Sequence, residues 1–390
     1  MDLTLAAPSH VEIVAPHSDV RVDFLDDWRS IELLESEWNH LLRQSASDSI
    51  FLTWDWIRSW AAVMRDVRPL VVCVRDARGD LAGVAPFYQA TMRLSHSIPY
   101  RVLRVMADYP TGADYTDWVL RRSDDQAVTM AIVKALRARR GWDLIWMPGM
   151  AGWTGSFERI VTASRACGLY CQTREQSFAY VALPPERDAY FRALSKNKKQ
   201  QLRAEMKRIG DLPGLDVCRC DTEEQIPEFL EALFALHSRR WNEKGDTGTF
   251  KSRPQEVEFF RHFVPVALRN GWLRLFGLRV NGELKAVQIG YVYRNVFNQL
   301  QEGFDPEFIK GVGNVLRAKV IEQCIDEGLD GYDFLGDMTE HKRRWLGVER
   351  TGHDLLIGRS KLKNLLLFKG GVWPSGRFMR QVSPPLDDVQ

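Results

Sequence analysis

The residues best placed to do chemistry in this chain fall between Gln299 and Gly347. Lys310-Gly311-Val312-Gly313-Asn314 stands between an apolar alternating run and a helical one. Glycines at a strand-to-helix junction let backbone N–H groups and a helix N-terminus approach an anion closely, and a pyrophosphate is the natural guest. Taken alone, the same loop is an ordinary tight turn. Further on come Asp333, Asp337, Glu340 and His341, then the basic knot Lys342, Arg343 and Arg344. Imidazole titrates near neutral pH, so His341 is a candidate general base, with Asp333, Asp337 and Glu340 as neighbouring carboxylates. A plain surface position is its other reading. Asp333 closes a short strand, as a contact for a substrate amine or as a turn residue.

Two further groups suit a substrate pocket, or equally a structural cluster. His237, Arg240 and Trp241 share one helical face at i, i+3 and i+4. Asp114 and Tyr115 lie in the first half and could line a cleft from its opposite side. Lys196, Lys198, Lys199, Arg203, Lys207 and Arg208 set six positive charges against Glu205 in one helical stretch. That stripe is a solvated face, or a contact for phosphates, an anionic membrane or RNA. Leu355–Phe368 is apolar but broken by Arg359, Lys361 and Lys363. It reads as core strand plus helix, or as an interfacial helix on anionic lipid.

The elements that must hold these residues come in two similar series. Helical spacing marks Ser30–Gln44 and Thr53–Met64, followed by strands Pro69–Arg75 and Leu81–Tyr88 around a DARGD turn. Helix Val128–Arg140, strand Gly141–Met147 and helix Ser156–Cys167 complete the first series. In the second, helices Glu224–Glu243 and Gln255–Asn270 precede strand Trp272–Val280, which turns at Asn281-Gly282, a strong hairpin signal. Strands Glu283–Tyr293 and Val296–Gly303, helix Asn314–Glu327 and the short strand Tyr332–Leu335 follow. The repeated order predicts two mixed α/β units. Their expected limits are 21–178 and 179–369, with flexible ends at 1–20 and 370–390.

Composition narrows the function classes. The 390 residues exceed what one core usually serves, so two domains are expected. Lysine and arginine (53) balance aspartate and glutamate (51), which argues against a dedicated nucleic-acid binder. Six scattered cysteines show no zinc-like spacing, so no metal is expected and the thiols read as reduced, in a cytoplasmic protein. No signal peptide or membrane-spanning run is legible. Thirteen tryptophans fill core or line an apolar channel.

Together these motifs resemble a known family. Phe51-Leu-Thr-Trp54-Asp-Trp56, Asp114-Tyr115, Ser195-Lys196-Asn197-Lys198-Lys199, Leu236-His237-Ser-Arg-Arg240-Trp241 with Gly248-Thr249-Phe250, and the glycine loop followed by YDFLG and HKRRW are similar to the CelD-like or BioF2-like acetyltransferases. These are relatives of the Fem-type peptidyltransferases and share a double GNAT fold. The resemblance covers roughly residues 25–350. It departs at Gly311–Asn314, where relatives carry Ser-Pro-Gly, and at His341-Lys342, where they carry Tyr-Lys. It implies two tandem GNAT-like α/β domains and acyl-CoA as co-substrate, with CoA phosphates near Gly311–Asn314 and Lys342–Arg344. It further implies an oxyanion contact from a splayed strand at Lys285–Ile289, with Val287 and Gln288 as candidates by position. The expected activity is acyl transfer to a primary amine of an envelope precursor. Aromatic abundance and the basic apolar tail favour an amino-lipid such as a sphingoid base, in a ceramide-synthase-like reaction, over an amino sugar of a surface polysaccharide. The alternatives are an aminoacyl-tRNA-dependent Fem-type peptidyltransferase and a non-catalytic binding protein. A peripheral position on the inner face of the membrane goes with the lipid reading.

Overall fold

The computed structural model describes residues 20–94, 98–242, 249–373 and 379–382. The expected flexible lead and most of the tail therefore lie outside the described residues.

Among the described residues fourteen strands form one sheet. They are β1 (Val20–Leu25), β2 (Arg68–Asp76), β3 (Leu81–Leu94), β4 (Ile98–Val105), β5 (Val119–Leu120), β6 (Leu144–Ala151), β7 (Tyr170–Ala182), β8 (Leu215–Arg219), β9 (Leu273–Val280), β10 (Glu283–Tyr293), β11 (Val296–Phe304), β12 (Gly331–Asp333), β13 (Val348–Gly358) and β14 (Met379–Val382). Their spatial order is β1-β2-β3-β4-β6-β13-β7-β12-β11-β10-β9-β8, with β5 and β14 beside β3. The order mirrors about its centre. β4 runs parallel to β6 in the first half, and β11 runs parallel to β12 in the second. Between the halves, β7 and β13 pair antiparallel from Val348↔Tyr180 to Gly358↔Tyr170. The chain crosses over here. β7 follows β6 in sequence but pairs with β12, whereas β13 follows β12 and pairs with β6. Each half lends its last strand to the other, and the junction expected after residue 178 falls inside β7.

Helices cover the sheet. They are α1 (Trp28–Glu32), α2 (Glu35–Arg43), α3 (Trp54–Val63), α4 (Asp125–Ala138), α5 (Ser156–Ala166), α6 (Arg187–Ala193), α7 (Lys196–Gly210), α8 (Ile226–Asn242), α9 (Thr249–Ser252), α10 (Pro254–Arg269), α11 (Val312–Asp326), α12 (Glu340–Arg343) and α13 (Leu362–Lys369). Local chemistry sets the ends of several. Thr53 and Ser195 cap α3 and α7 by accepting from Trp56 N and Lys198 N. Asn281 and Gly282 both take positive φ, 51° and 83°, the requirement of a two-residue hairpin. The helix expected over Ser30–Gln44 is two helices, broken at Leu33-Leu34. Leu355–Phe368 divides into the end of β13 and α13, as the core-strand-plus-helix reading anticipates.

Tryptophan fills the core. Trp38, Trp56 and Trp60 are buried, and Trp56 meets Phe259 at 4.7 Å and Phe263 at 4.6 Å. Trp56 belongs to the first half and the phenylalanines to the second. One apolar cluster therefore bonds α3 to α10 across the halves, and such aromatic contacts add to the area they bury.

Close packing of α8 on β11 depends on Gly303. A Cβ there would stand 2.6 Å from His237 N and 2.9 Å from Leu233 O, both backbone atoms. Gly303→Ala should therefore push helix from strand and destabilise the protein by about 1–3 kcal/mol, read as a lower thermal midpoint. An unchanged midpoint would show that the helix can back away freely.

Candidate functional site

The site grows from one parting of strands. β11 and β12 stay in register only over Val296↔Gly331, Phe297↔Tyr332 and Asn298↔Asp333. β12 then ends, since Asp333 Oδ1 accepts from Leu335 N at 2.9 Å and Leu335 turns to φ 54°. Beyond Asn298 the β12-facing edge of β11 is open, while its other edge stays paired with β10 as far as Phe304. An open edge beside a helix is where an extended amide chain can add by backbone hydrogen bonds.

A cleft of about 500 Å³ lies along that edge, between α7, the start of α11 and α12. Gly311 is the left-handed residue before α11, with φ 101°. Neither Gly313 N nor Asn314 N, the next donors of α11, has a backbone acceptor among the described residues. The start of the helix is thus a free pair of donors at the positive end of a dipole. The Glu205 carboxylate already leans on it, accepting from Asn314 Nδ2 at 3.1 Å and from Gln201 Nε2 at 2.9 Å. A Cβ on Gly311 would stand 2.5 Å from Glu205 side-chain carbons, so only glycine lets that carboxylate in.

The cleft wall is a buried ion network. Arg317, on the inner face of α11, is 3% exposed and pairs with Glu302 of β11, and Arg240 reaches the same carboxylate at 2.9 Å. Burial alone would raise Glu302, but the Arg317 and Arg240 charges overcome it and hold the carboxyl at about 2. Arg317 Nη1 lies 2.6 Å from His341 Nε2. Guanidinium only donates, so Nε2 accepts and the ring proton sits on Nδ1. Desolvation, then the Arg317 charge, pushes His341 down to about 4, although the residue is open to the cleft mouth. The lone pair a base would use is thus occupied, and a protonated ring would face a guanidinium. His341 fits a neutral hydrogen-bonding role rather than the base expected of it. Opposite, Lys198 stands 3.9 Å over the Trp345 ring, and burial lowers its amine to about 8.

The other expected residues divide. Lys310, Gly311, Val312, Gly313, Asn314, Arg240 and Arg344 all line the cleft. His237 does not: it is 2% exposed and packs edge-on to Phe250 at 4.7 Å. The Trp241 side chain lies outside the described residues. Glu340 and Arg343 are exposed, with Arg344 at 3.3 Å and Glu349 at 3.1 Å as partners. Val287 and Gln288 are not on the parted strand. Both are buried in β10, which is bonded to β9 and β11 on its two edges, so their N–H groups face no ligand. The parted strand is β11, one hairpin later.

Asp114, Tyr115 and Asp333 come together from opposite halves. Tyr115 Oη donates to Asp333 Oδ2 at 2.8 Å, and Gly336 N donates to Asp114 Oδ2 at 2.8 Å. Burial raises the Asp333 carboxyl and pushes Asp114 up to about 6. Lys342 belongs here and not with the glycine loop. Its Nζ donates to Leu335 O at 2.5 Å and feels the charges of Asp114, Asp333 and Asp337. Asp333 and Tyr115 line a second cavity, of about 290 Å³, with Trp153, Tyr180 and Asn298. β11 connects the two spaces, with Glu302 and Phe304 in one and Val296 and Asn298 in the other. Asp337 and Asp114 face a third, smaller pocket. Among the described residues no group of three His, Cys, Asp or Glu is arranged to hold a metal ion, and no helix is long and apolar enough to cross a membrane.

Comparison with known proteins agrees with this geometry. Residues 196–343 match the family described as acetyltransferase (GNAT) domain, and they span the cleft from α7 to α12. The structure is similar to a crystal structure of FemX, with TM-score 0.60 and 12% identity over 86% of this chain and 98% of that one. It is also similar to the C-terminal domain of a putative lysylphosphatidylglycerol synthetase from Agrobacterium fabrum (TM-score 0.50, 12% identity, 87% of this chain and 96% of that one). A conserved protein of unknown function from Bacteroides thetaiotaomicron gives 0.53 at 15% identity, over 86% and 99%. No curated protein matches the sequence. Residues 196–343 are a GNAT-type acetyltransferase domain, and the chain as a whole has the double GNAT fold.

Breaking the buried network should cost stability in a pH-dependent way. Glu302 is held below its ordinary 4.5, so its contribution is present above that pH and lost as the pH falls towards 2. Glu302→Gln should lower unfolding free energy by about 3–5 kcal/mol at pH 7, with the gap to wild type closing between pH 4.5 and 2 in urea titrations. A gap that does not vary with pH would deny the carboxylate this role.

Proposed function

We propose that the protein transfers an acyl group from acyl-CoA to a primary amine. The observation that carries the reading is the cleft in which the open edge of β11 meets the two free N–H donors of α11. The amide-bearing arm of the donor adds along β11, its phosphates meet the helix start and Lys198, Lys310 and Arg344, and its thioester reaches towards Asn298. The amine occupies the cavity beside Asp333. Its nitrogen attacks the thioester carbon, a C–N bond forms, and the C–S bond breaks as CoA leaves as thiolate. Asp333, raised by burial, takes the proton whose loss frees the nitrogen for attack, and the second proton the nitrogen gives up passes through solvent to the thiolate. The acceptor is an envelope precursor, a lipid head group ahead of an amino sugar. Leu362 and Leu366, one turn apart on α13 and 73% and 65% exposed, lie among Lys361, Lys363 and Lys369 and support a resting place on anionic lipid.

One observation favours a second reading. Lys196, Lys199, Arg203 and Lys207 sit on the same helix as Lys198 and Glu205, beside the cleft, and would suit the acceptor end of an aminoacyl-tRNA. Chain binding to bulk tRNA that survives 200 mM salt would favour it over acyl-CoA.

Glu205 provides the direct test. An anion seated on α11 must displace that carboxylate, so Glu205→Gln should tighten CoA binding by about tenfold in calorimetry. Asp333→Asn should lower acyl-CoA turnover, read as CoA released per amine acylated, by about 10²-fold or more with little change in the donor KM. Calorimetric silence with CoA, in both wild type and Glu205→Gln, would remove the donor assignment. His341→Gln, which keeps an acceptor for Arg317, should retain most of the turnover. A loss as large as that of Asp333→Asn would restore His341 as the base.

A further inference from the structure

The cavity between the halves holds a second recognition element that the transfer itself does not use. Arg350, on the exchanged strand β13, lays its guanidinium 3.7 Å over the ring of Trp153 and 4.8 Å over that of Tyr180. Two aromatic faces fix a planar cation in this way and leave its N–H edge free. Among the described residues the Arg350 side chain makes no ion pair and no hydrogen bond. The other charges of the cavity are committed. Asp48 accepts from Tyr293 Oη at 2.8 Å and pairs with Arg294. Asp117 accepts from Ser47 and Ser156, each at 2.6 Å, and from Trp118 N at 2.7 Å. What remains is Arg350, unpaired, and Asp333, which accepts from Tyr115 Oη and Leu335 N and forms no ion pair. The Arg350 charge reaches the Asp333 carboxyl, yet the two do not close a salt bridge.

We propose that this cavity binds the acceptor as a zwitterion: a primary ammonium at Asp333 and Tyr115, and a carboxylate or phosphate of the same molecule on Arg350. A cation held rigid but unpaired, facing a buried carboxyl across about 290 Å³, is shaped for a small head carrying both charges. A plain amine would leave the guanidinium facing nothing, and a neutral amino sugar would do the same. The inference rests on the amine site of the preceding reading and narrows its acceptor.

Calorimetry on the whole protein without any acyl donor tests it, using ethanolamine, O-phosphoethanolamine and β-alanine as probes. At least one of the two anionic amines should bind on the order of tenfold more tightly than ethanolamine. Which of them does so tells phosphate from carboxylate. Arg350→Gln should erase that advantage and leave ethanolamine binding as it was, whereas Asp333→Asn should weaken all three. Ethanolamine binding as tightly as both anionic probes would overturn the proposal, as would an advantage that survives in Arg350→Gln or no binding of any probe. Should Arg350→Gln fail to fold, judged by its thermal melt, the wild-type ratio decides alone. CoA binding is read in a separate titration, so failure of the donor assignment cannot be mistaken for failure of this one.

Discussion

A fully paired sheet offers a substrate nothing but side chains, because each backbone N–H and C=O is already engaged. The parting of β11 from β12 after Asn298 is the constraint on which the remainder of the site depends. It opens one strand edge, and the loop that follows returns the chain as α11 with Gly313 N and Asn314 N unengaged. Holding the gap open has a cost, since two strands with nothing between them would tend to close. The buried Arg317–Glu302 pair, with Arg240 on the same carboxylate, ties β11 to α11 and α8 beside the gap. Lys198 over Trp345 braces the opposite wall.

Exchange of the last strands explains why the cavity beside Asp333 is built from both halves. β13 carries Arg350 into register with Phe178 of β7, and β7 brings Tyr180 beside Asp333 of β12. Tyr115 then reaches Asp333 from the first half. No single half contains the cavity. The two GNAT-like units are therefore interlocked through β7 and β13 as well as through the shared tryptophan and phenylalanine core. In the first half, β4 and β6 also run parallel, but the segment after β4 carries Asp114 and Tyr115 across to the second half instead of opening a helix on a glycine loop.

How much of this was legible follows from the range of each signal. Spacing and turn chemistry are local, so the hairpin at Asn281-Gly282, the caps at Thr53 and Ser195, and the glycine loop before α11 could all be read from neighbouring residues. Which strand parts from the sheet is a matter of pairing. Lys285–Ile289 and Val296–Gly303 both read as plain strands, and only the parallel ladder of β11 with β12 separates them. A clue was present: the strand leading directly into the glycine loop is the one whose edge that loop must leave open. Arg317 was also legible as a lone charge in the apolar stripe between Val315 and Ile321, yet its partners Glu302 and His341 were not. Arg350 carries no local signal at all, because its neighbours arrive through strand exchange.

The two cavities differ in charge in a way that suits the proposed donor and acceptor. Around the start of α11 the cationic residues Lys198, Arg240, Lys310, Arg317 and Arg344 outnumber Glu205, Glu302 and Asp305, a balance that draws a polyanionic donor. Around Asp333 the carboxylates accept hydrogen bonds from neighbouring groups, and burial keeps Asp333 easier to protonate than a surface aspartate. Both spaces lie along a single strand, so the balance of lining charge changes over a short stretch of β11, from Glu302 to Asn298. In the proposed reaction the thioester and the amine nitrogen meet near Asn298, where the two spaces join. The donor in that proposal displaces the Glu205 carboxylate, which accepts from Asn314 Nδ2 at the helix start.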